Sequence, residues 1–299
     1  WTYNRSFSSY GTINWNVTCN SSIFQDQFVA DTIPIGAASC TDGDSDGFNV
    51  TGGVCGVIDC DDTNATIRPI LNGTSGLDEN INNLTTNLTL CAGTYEFNLT
   101  GTNAAVIAFR TSNLILDCDG STIIGNGSNI GIFAGEGGID NLIIRNCNLS
   151  NFSIAIGGDG YTLGNNVTIE NCTFMGDNTA SVEGNGGYVG HIFNNTIYAA
   201  YGNMYHAEGT EYIDNDFIAQ IRLYGSDAVL TSNIIRNETL LEGAQSNLTF
   251  SSNNFTSTSS LNLWDLDDVN ITNNHFYGQV FSYESTNEGR DIVNNTIYS

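Results

Sequence analysis

Six aspartates crowd into a short stretch near the start of the chain, CTDGDSDGFNVTGGVCGVIDCDDTNATIRP (residues 40 to 69). Asp42, Asp44 and Asp46 stand two residues apart, which is the spacing of the first three carboxylate ligands in a calcium-binding loop. Gly47 follows at the position where such a loop turns sharply. Carboxylates packed this closely repel one another unless a cation lies among them. The stretch therefore predicts a site for a hard divalent cation.

The predicted calcium loop lacks its usual last ligand. The backbone carbonyl of Phe48 is available as the next ligand, but Gly53 stands where a bidentate glutamate normally closes the shell. We expect Asp59, Asp61 and Asp62 to supply the missing oxygens. A closed shell of oxygen ligands holds a loop together without exposing a reactive metal, so the predicted role of Ca²⁺ is structural. A solvated acidic loop is the alternative interpretation.

A six-residue repeat occupies the second half of the chain. It consists of an apolar residue, any residue, an Asn-like residue, Asn or Cys, any residue, and Phe, Ile or Leu, and its copies begin at residues 144, 169, 192, 212, 230, 250, 271 and 292. This period is too short for a helix pair and is typical of one coil of a β-solenoid, whose short strands pair in parallel with those of neighbouring coils. Columns one and six are apolar throughout and are expected to point inward, whereas columns two and five vary and are expected to face solvent.

Column four of the repeat predicts a ladder of amides inside the solenoid. Asparagine amides stacked about 4.8 Å apart hydrogen-bond along the solenoid axis, and asparagine also tolerates the left-handed backbone of a sharp corner. Two cysteines precede the asparagines, and their position on adjacent coils suits a disulfide. The column comprises Cys147, Cys172, Asn195, Asn215, Asn233, Asn253, Asn274 and Asn295.

The chain contains eight cysteines, an even number that is consistent with an oxidising compartment. We expect a disulfide between Cys147 and Cys172. Cys91 and Cys118 flank the first coil and are candidates for a second disulfide. The remaining four are expected to stabilise the N-terminal region, in a connectivity that their spacing leaves open: Cys19, Cys40, Cys55 and Cys60.

Glycosylation sequons indicate export. Asn-x-Ser/Thr, with x other than Pro, occurs 20 times, against about 8 expected from the frequencies of Asn, Ser and Thr. No ladder asparagine begins a sequon, whereas asparagines of columns three and five do, which independently assigns those two columns to the outer surface. We therefore predict a secreted protein with N-linked glycans. The sequons begin at Asn4, Asn16, Asn20, Asn49, Asn64, Asn72, Asn83, Asn87, Asn98, Asn126, Asn148, Asn151, Asn166, Asn171, Asn194, Asn237, Asn247, Asn254, Asn270 and Asn294.

Composition excludes several classes of function. The 299 residues are 40% hydrophobic and 10% aromatic, which favours folding over disorder. The seven basic residues are all Arg and the net charge is −25, so the clustered cations that bind a nucleic acid or an anionic membrane are missing. The apolar runs are too short to span a bilayer, and we expect an export leader to have been removed before Trp1.

Three stretches resemble the right-handed parallel β-helix superfamily, which contains pectate lyases, polysaccharide-processing proteins and many surface proteins of bacteria and archaea. They are NLILDCDGSTIIGNG, NLIIRNCNLSNF and NVTIENCTF, which begin at residues 113, 141 and 166. The resemblance covers about residues 85 to 299 and implies an all-β, right-handed parallel β-helix. It does not specify an activity, because this scaffold hosts many.

The acidic stretch, together with DCDDTNATIRP at residues 59 to 69, is similar to thrombospondin type 3 calcium repeats and to a metal-binding repeat of many microbial surface proteins. In those families the aspartates bind Ca²⁺. The sequence departs from their pattern at LDENINN, from residue 77, which lacks the usual cysteine. The chain thus divides into an N-terminal segment (1 to 39), a calcium-binding segment (40 to 84) and the β-helix (85 to 299).

Signals for catalysis are sparse. A glycoside hydrolase requires two carboxylates on either side of a sugar, and Asp267 with Asp268 is the nearest candidate, with a solvated turn as the alternative. An elimination like that of pectate lyases would use an arginine base near calcium. The arginines available for it stand in no recognisable motif: Arg145, Arg222, Arg236 and Arg290.

Three tyrosines follow column six, Tyr198, Tyr277 and Tyr298, and are expected to point outward. They suggest a strip that stacks on sugars or contacts a partner, with scattered exposed aromatics as the alternative.

The last copy of the repeat ends two residues before Ser299. A solenoid needs caps, because an uncovered coil presents apolar side chains and unpaired strand edges to water. We expect residues 1 to 39 of another copy of the protein to cover this coil, in a head-to-tail contact that does not close and so propagates into a fibre. The leading hypothesis is a secreted, calcium-stabilised, glycosylated structural subunit of an extracellular filament, sheath or surface layer. The alternatives are a polysaccharide lyase or glycoside hydrolase of the β-helix fold, and a non-catalytic glycan-binding surface protein.

Overall fold

A computed structural model of the chain is all β, and its main body is a parallel β-solenoid. Each coil contributes one short strand to each of three sheets, so that every sheet runs along the solenoid axis. The structure describes residues 11–19, 27–35, 40–51, 55, 57–70, 82–99, 105–134, 139–157, 163–176, 180–183, 189–198, 202–205, 209–218, 221–224, 226–237, 239–241, 245–256, 259–263, 266–277, 279–282 and 290–298.

The first two strands, β1 (Gly11–Cys19) and β2 (Gln27–Ile35), pair antiparallel in a sheet of their own. Sheet one of the solenoid contains β4 (Asn82–Leu84), β7 (Ala105–Phe109), β10 (Ile130–Phe133), β13 (Ile154–Gly157), β16 (Ala180–Glu183), β19 (Gly202–Tyr205), β22 (Ile221–Tyr224), β25 (Thr239–Leu241), β28 (Ser260–Leu263) and β31 (Gln279–Ser282). Sheet two contains β3 (Ile67–Arg68), β5 (Leu88–Leu90), β8 (Ile115–Asp117), β11 (Leu142–Arg145), β14 (Val167–Glu170), β17 (Val189–Phe193), β20 (Glu211–Ile213), β23 (Val229–Thr231), β26 (Gln245–Ser251), β29 (Leu266–Thr272) and β32 (Arg290–Val293). Sheet three contains β6 (Thr94–Glu96), β9 (Thr122–Ile124), β12 (Asn148–Ser150), β15 (Thr173–Met175), β18 (Thr196–Tyr198), β21 (Asp216–Phe217), β24 (Ile234–Ile235), β27 (Asn254–Phe255), β30 (His275–Phe276) and β33 (Thr296–Ile297).

Strand register follows the six-residue repeat. Column one pairs with itself from coil to coil in sheet two, from Ile144 to Ile292. Column six does the same in sheet three, from Leu149 to Ile297. In the first seven copies these side chains are at most 3% exposed. The predicted parallel solenoid with columns one and six inside is confirmed.

Two further coils precede the first copy of the repeat. Leu116 pairs in register with Ile144, and Ile123 with Leu149, so β8 and β9 carry the same inward columns. The corner between them has four residues, 118 to 121, where later coils have two, and a pattern of fixed length therefore misses it. Because β3 and β4 also belong to sheets two and one, the coil stack begins upstream of residue 85.

Left-handed backbone occurs one residue before the ladder rather than in it. All eight column-three residues have φ between 53° and 60°, including Asn171 at 53° and Ser232 at 60°, and no described column-four residue has a positive φ. The expectation that the ladder asparagines adopt this conformation is wrong. The outward residue of column three makes the turn, and short polar side chains tolerate it there. The turn then directs the next residue inward.

The column-four asparagines form a continuous hydrogen-bonded ladder. Asn233 illustrates one rung: its Oδ1 accepts from the backbone N of Asn215 at 2.9 Å and from Asn215 Nδ2 at 3.0 Å. Its own Nδ2 donates to Tyr212 O at 2.9 Å and to the next rung. Both donors and both lone pairs are thus satisfied, so the amides from Asn195 to Asn274 are buried, at most 1% exposed, without the usual penalty.

Cysteines occupy the same corner in the earlier coils, and they pair two by two. Cys91 is bonded to Cys60, Cys118 is bonded to Cys147, and Cys172 is a buried free thiol. The expected Cys147–Cys172 and Cys91–Cys118 disulfides are therefore wrong. Because Cys91 is bonded to Cys60 of the acidic segment, Cys118 pairs with Cys147, and Cys172 is left as the free thiol. Each of these disulfides closes a loop of about 30 residues, which stabilises the fold by roughly 3.6 kcal/mol in the chain-entropy treatment.

We predict that Cys172→Asn stabilises the protein by extending the ladder. The Cys172 backbone N already donates to Asn195 Oδ1 at 2.8 Å, and its Sγ lies 3.9 Å from Ile144 O, the carbonyl that an amide in this column would use. An asparagine here gains two hydrogen bonds, each contributing about 1 kcal/mol. Thermal unfolding of Cys172→Asn and of Cys172→Ser, which lacks the amide, tests this. An asparagine variant no more stable than the serine variant would contradict it.

Candidate metal centre

The loop at residues 42 to 47 winds around its own carboxylates. The backbone N–H groups of Ser45 and Gly47 donate to the two oxygens of Asp42, at 2.6 and 2.9 Å, and that of Asp46 donates to Asp44 Oδ1 at 3.2 Å. Positive φ at Ser45 (66°) and Gly47 (95°) lets the chain turn this tightly. One carboxylate oxygen from each of the three aspartates lies within 4.8 Å of the others.

Two more aspartates reach this loop from the following segment. Asp59 is only 2% exposed, and its Oδ2 has no hydrogen-bond partner. Asp62 packs against the loop so closely that a Cβ at Gly43 would collide with its carbonyl and carboxylate, and its Oδ1 is also unpartnered. Buried, unpartnered oxygens occur on Asp44 and Asp46 as well. Because an unpaired buried carboxylate is costly, this arrangement fits a bound cation.

Two disulfides hold the acidic segment. Cys40–Cys55 closes the loop that carries the first three aspartates, and Cys60–Cys91 ties the second group to the first coil of the solenoid. The side chain of Cys19 lies outside the described residues. The acidic segment is therefore attached covalently to the end of the coil stack.

Local packing brings the two aspartate groups together. The Asp59 N–H donates to Asn49 O at 2.9 Å, and Asn49 Nδ2 donates to Cys55 O at 2.7 Å. Phe48 is buried beneath Arg68, whose guanidinium carbon lies 5.7 Å from the ring centroid. The Phe48 N–H donates to Asp46 Oδ1 at 2.9 Å, and the use of the Phe48 carbonyl as a ligand stays a prediction.

Asp61 differs from its neighbours. Its Oδ1 accepts hydrogen bonds from the backbone N and the hydroxyl of Thr63, at 3.3 and 2.6 Å. The structure therefore brings Asp59 and Asp62 to the loop but engages Asp61 in a turn of its own. The Asp-x-Asp-Asp spacing alone did not distinguish these three roles.

The electrostatics of the cluster oppose the ionisation of Asp46. Burial raises the pKa of Asp46 above its ordinary value, and the charges of Asp44 and Asp59 raise it further. The hydrogen bond from the Phe48 amide and the charge of Arg68 lower the same pKa without cancelling the rise. A divalent cation would remove this conflict, since it attracts every carboxylate at once.

Three catalytic candidates have side chains that the structure describes: Arg145, Arg236 and Asp268. Arg145 Nε lies 2.8 Å from Asp117 Oδ2, and Arg236 Nε lies 2.7 Å from Asp216 Oδ1, so both arginines are paired across neighbouring coils. Asp268 is exposed and has a φ of 52°, and it lies within β29 rather than in a turn. The side chains of Asp267, Arg222 and Arg290 lie outside the described residues.

The outward tyrosines stack on one another. Tyr277 and Tyr298 have parallel rings with centroids 4.1 Å apart, and Tyr198, on an earlier coil, is half exposed. The stacking covers one face of each of these two rings. A sugar-stacking platform would need exposed faces.

Sequon asparagines mostly face outward. Among those whose side chains the structure describes, Asn148 is partly buried, Asn49 is buried and the rest are exposed. The sequons outside this part of the chain are Asn4, Asn16, Asn20 and Asn72.

Comparison of the chain with protein-family models, with characterised proteins and with solved structures finds no match. In the described part of the chain, no helix has the length and apolar character needed to cross a membrane. Three disulfides indicate an oxidising environment.

We predict that chelation of divalent cations makes the free energy of unfolding depend on the ionisation of Asp46. The pKa of Asp46 is higher in the folded protein than its ordinary value of 3.8. In EDTA, the contribution of Asp46 to the free energy of unfolding therefore falls as pH rises from 3.8 through the raised pKa. Asp46→Asn should flatten this fall in urea titrations at several pH values.

Asp117 provides a control of opposite sign. Burial opposes its ionisation, but hydrogen bonds from Asn146, the Asp119 amide and Arg145 outweigh burial and lower its pKa. Its contribution to stability is therefore present above pH 3.8 and is lost as pH falls through the lowered value. Asp117→Asn should abolish the rise in the free energy of unfolding that accompanies rising pH in this range. If the free energy of unfolding depends on pH equally in Asp46→Asn and Asp117→Asn, both pKa assignments are contradicted.

Proposed function

We propose that the protein is a secreted, calcium-stabilised structural subunit that assembles end to end outside the cell. The observation that carries this proposal is the corner between sheets two and three. There, Cys91, Cys118, Cys147 and Cys172, followed by the six ladder asparagines, link successive coils by covalent bonds and then by buried amides. Such a column makes a rod rigid along its axis, and the described residues show no convergent catalytic groups that would suggest a different use.

Calcium is proposed as the cation of the acidic segment. Five aspartates supply hard oxygen ligands, and the buried Asp59 Oδ2 lacks any other partner. The loop also has the 1, 3, 5 spacing and sharp glycine turn of calcium loops. Because Cys60–Cys91 joins this segment to the first coil, a bound cation would stabilise the end of the rod.

Assembly is proposed from the last coil. Ile292 and Ile297 are 62% and 71% exposed, although the same two columns are buried in every earlier copy. Asn295 Nδ2 donates to Ile271 O, and Asn295 Oδ1 accepts from the backbone N and the Nδ2 of Asn274. We propose that another copy covers this face, and that its hairpin of β1 and β2, which joins none of the solenoid sheets, supplies the added strands.

The two alternatives receive less support. The ion pairs of Arg145 and Arg236 disfavour their use as a base in a lyase site. The stacking of Tyr277 on Tyr298 covers one face of each ring, which disfavours a sugar-stacking strip.

Calorimetric titration with CaCl₂ tests the cation. We expect wild-type protein to bind Ca²⁺ and to unfold at a higher temperature when calcium is present. Asp59→Asn should weaken binding about tenfold or more, because it removes a buried ligand. Asp61→Asn is the matched control on the other side of Cys60, and its affinity should change little, since Asp61 Oδ1 bonds to Thr63. Equal losses in the two variants, or no calcium binding by the wild type, would refute the site.

Electron microscopy and light scattering test assembly. With calcium, the natural full-length protein should form fibres, and Ile297→Asp should leave it monomeric by placing a charge in the apolar contact. Thr296→Asp, on the neighbouring outward position, should still assemble. If the natural chain continues the coil itself and stays monomeric at high concentration, the end-to-end proposal is wrong.

A further inference from the structure

An N-linked glycan is attached to the side-chain nitrogen of asparagine, so the hydrogen bonds of that atom determine whether a sequon can carry one. The amide offers two N–H donors and one acceptor oxygen. An asparagine whose oxygen is bonded to the protein, and whose nitrogen is free, presents the reactive atom in a fixed direction. An asparagine whose two N–H groups are both bonded to the protein has no room for a sugar on its nitrogen.

Five exposed sequons among the described residues have the first arrangement. One of them is Asn171, whose Oδ1 accepts from Asn194 Nδ2. The other four lie close together in the fold. Asn64 Oδ1 accepts from the backbone N and hydroxyl of Thr66, at 3.2 and 2.8 Å. Asn83 Oδ1 accepts from Arg110 Nε at 2.8 Å, and its Nδ2 has no protein partner. The Thr66 backbone N–H and the Arg110 guanidinium can only donate, which fixes the orientation of both amides.

The other two are anchored by the next coil. Asn87 Oδ1 accepts from the backbone N of Ile115 at 2.9 Å, and Asn98 Oδ1 accepts from Asn126 Nδ2 at 2.9 Å. In both, the nitrogen is left without a partner in the protein. Asn126 orients this last pair, because its Nδ2 also donates to Leu99 O.

These asparagines surround a single coil. Asn83 lies in β4 of sheet one, Asn87 immediately precedes β5 of sheet two, and Asn98 follows β6 of sheet three. Asn64 belongs to the acidic segment that is tied to the same coil. Together the four form a collar around the end of the solenoid at which we propose the calcium site.

Asn126 has the opposite arrangement, and Asn49 is buried. Asn126 Nδ2 donates to both Asn98 Oδ1, at 2.9 Å, and Leu99 O, at 2.6 Å, so both of its hydrogens are used. Asn49 is 4% exposed, and its Nδ2 donates to Cys55 O at 2.7 Å. A sugar on Asn126 would have to displace Asn98 Oδ1 or Leu99 O, and a sugar on Asn49 would have to occupy a buried position.

We propose that the folded protein carries N-linked glycans on the collar of Asn64, Asn83, Asn87 and Asn98, and none on Asn49 or Asn126. This inference rests on the proposed export to a glycosylating compartment. Glycans on three sides of one coil keep neighbouring molecules away from the lateral surface of the rod. The ends of the coil stack are then the surfaces left for contact, which favours axial over sideways association.

The two ends of one hydrogen bond give a matched pair of variants. The full chain is secreted from a eukaryotic host, the folded fraction is isolated, and glycan occupancy is mapped by mass spectrometry after enzymatic deglycosylation in H₂¹⁸O. Asn98→Gln should lose the mass of one glycan. Asn126→Gln should lose none, and it should unfold at a lower temperature because two hydrogen bonds are disturbed. Ser128→Ala, which removes the sequon but leaves the Asn126 amide, should also keep the full glycan mass.

The outcomes distinguish a failure of this inference from a failure of the proposed function on which it rests. Glycan on Asn126 or Asn49 of the folded protein overturns the sorting while leaving glycosylation intact. Empty collar sites beside occupied sites elsewhere overturn the collar in the same way. A protein exported in folded form with no glycan at any sequon overturns the glycosylated, secreted function and the collar together.

Discussion

The structure depends on how one corner of the solenoid satisfies its polar groups. Each time the chain passes from sheet two to sheet three it turns inward, and the residue after the turn is buried. A buried polar group without a hydrogen-bond partner costs about 1 to 3 kcal/mol. A corner that recurs in every coil therefore repeats either this cost or the hydrogen bonds that avoid it. The asparagine ladder avoids this cost, because an inner rung such as Asn233 uses all of its amide donors and acceptors on the rungs and carbonyls beside it.

The same constraint explains why the ends of the solenoid are the chemically interesting parts. Inside the stack every coil is completed by its neighbours. At the first coil that completion comes from the acidic segment, which is attached by Cys60–Cys91 and brings buried carboxylate oxygens that the protein does not satisfy. In the last described coil, Ile292 and Ile297 are exposed. We propose a cation at the first coil and a second molecule at the last, and each would compensate for groups that the coil stack leaves unsatisfied.

Much of this architecture follows from periodicity. Because columns one and six repeat with the coil, the sequence predicts the inward face, the parallel register and the ladder, and the structure has all three. The cysteine pairing did not follow from the repeat. Which neighbours pair along the corner depends on the partner of the first cysteine, Cys91, and that partner, Cys60, lies outside the repeat. The corners of three residues at 91 to 93 and of four residues at 118 to 121 likewise hid two coils from a pattern of fixed length. The left-handed turn was assigned one residue late, since outward and inward asparagines look alike in sequence.

The roles of the asparagines show how far position outweighs residue type in this protein. Asn253 and Asn254 are adjacent and chemically identical, yet one is a buried rung and the other is exposed on the opposite side of the backbone. Asn98 and Asn126 share one hydrogen bond, and only the acceptor keeps a free nitrogen. The direction of each amide is set by the coil above or below it, so stacking decides which asparagines build the rod and which remain available for chemistry on its surface.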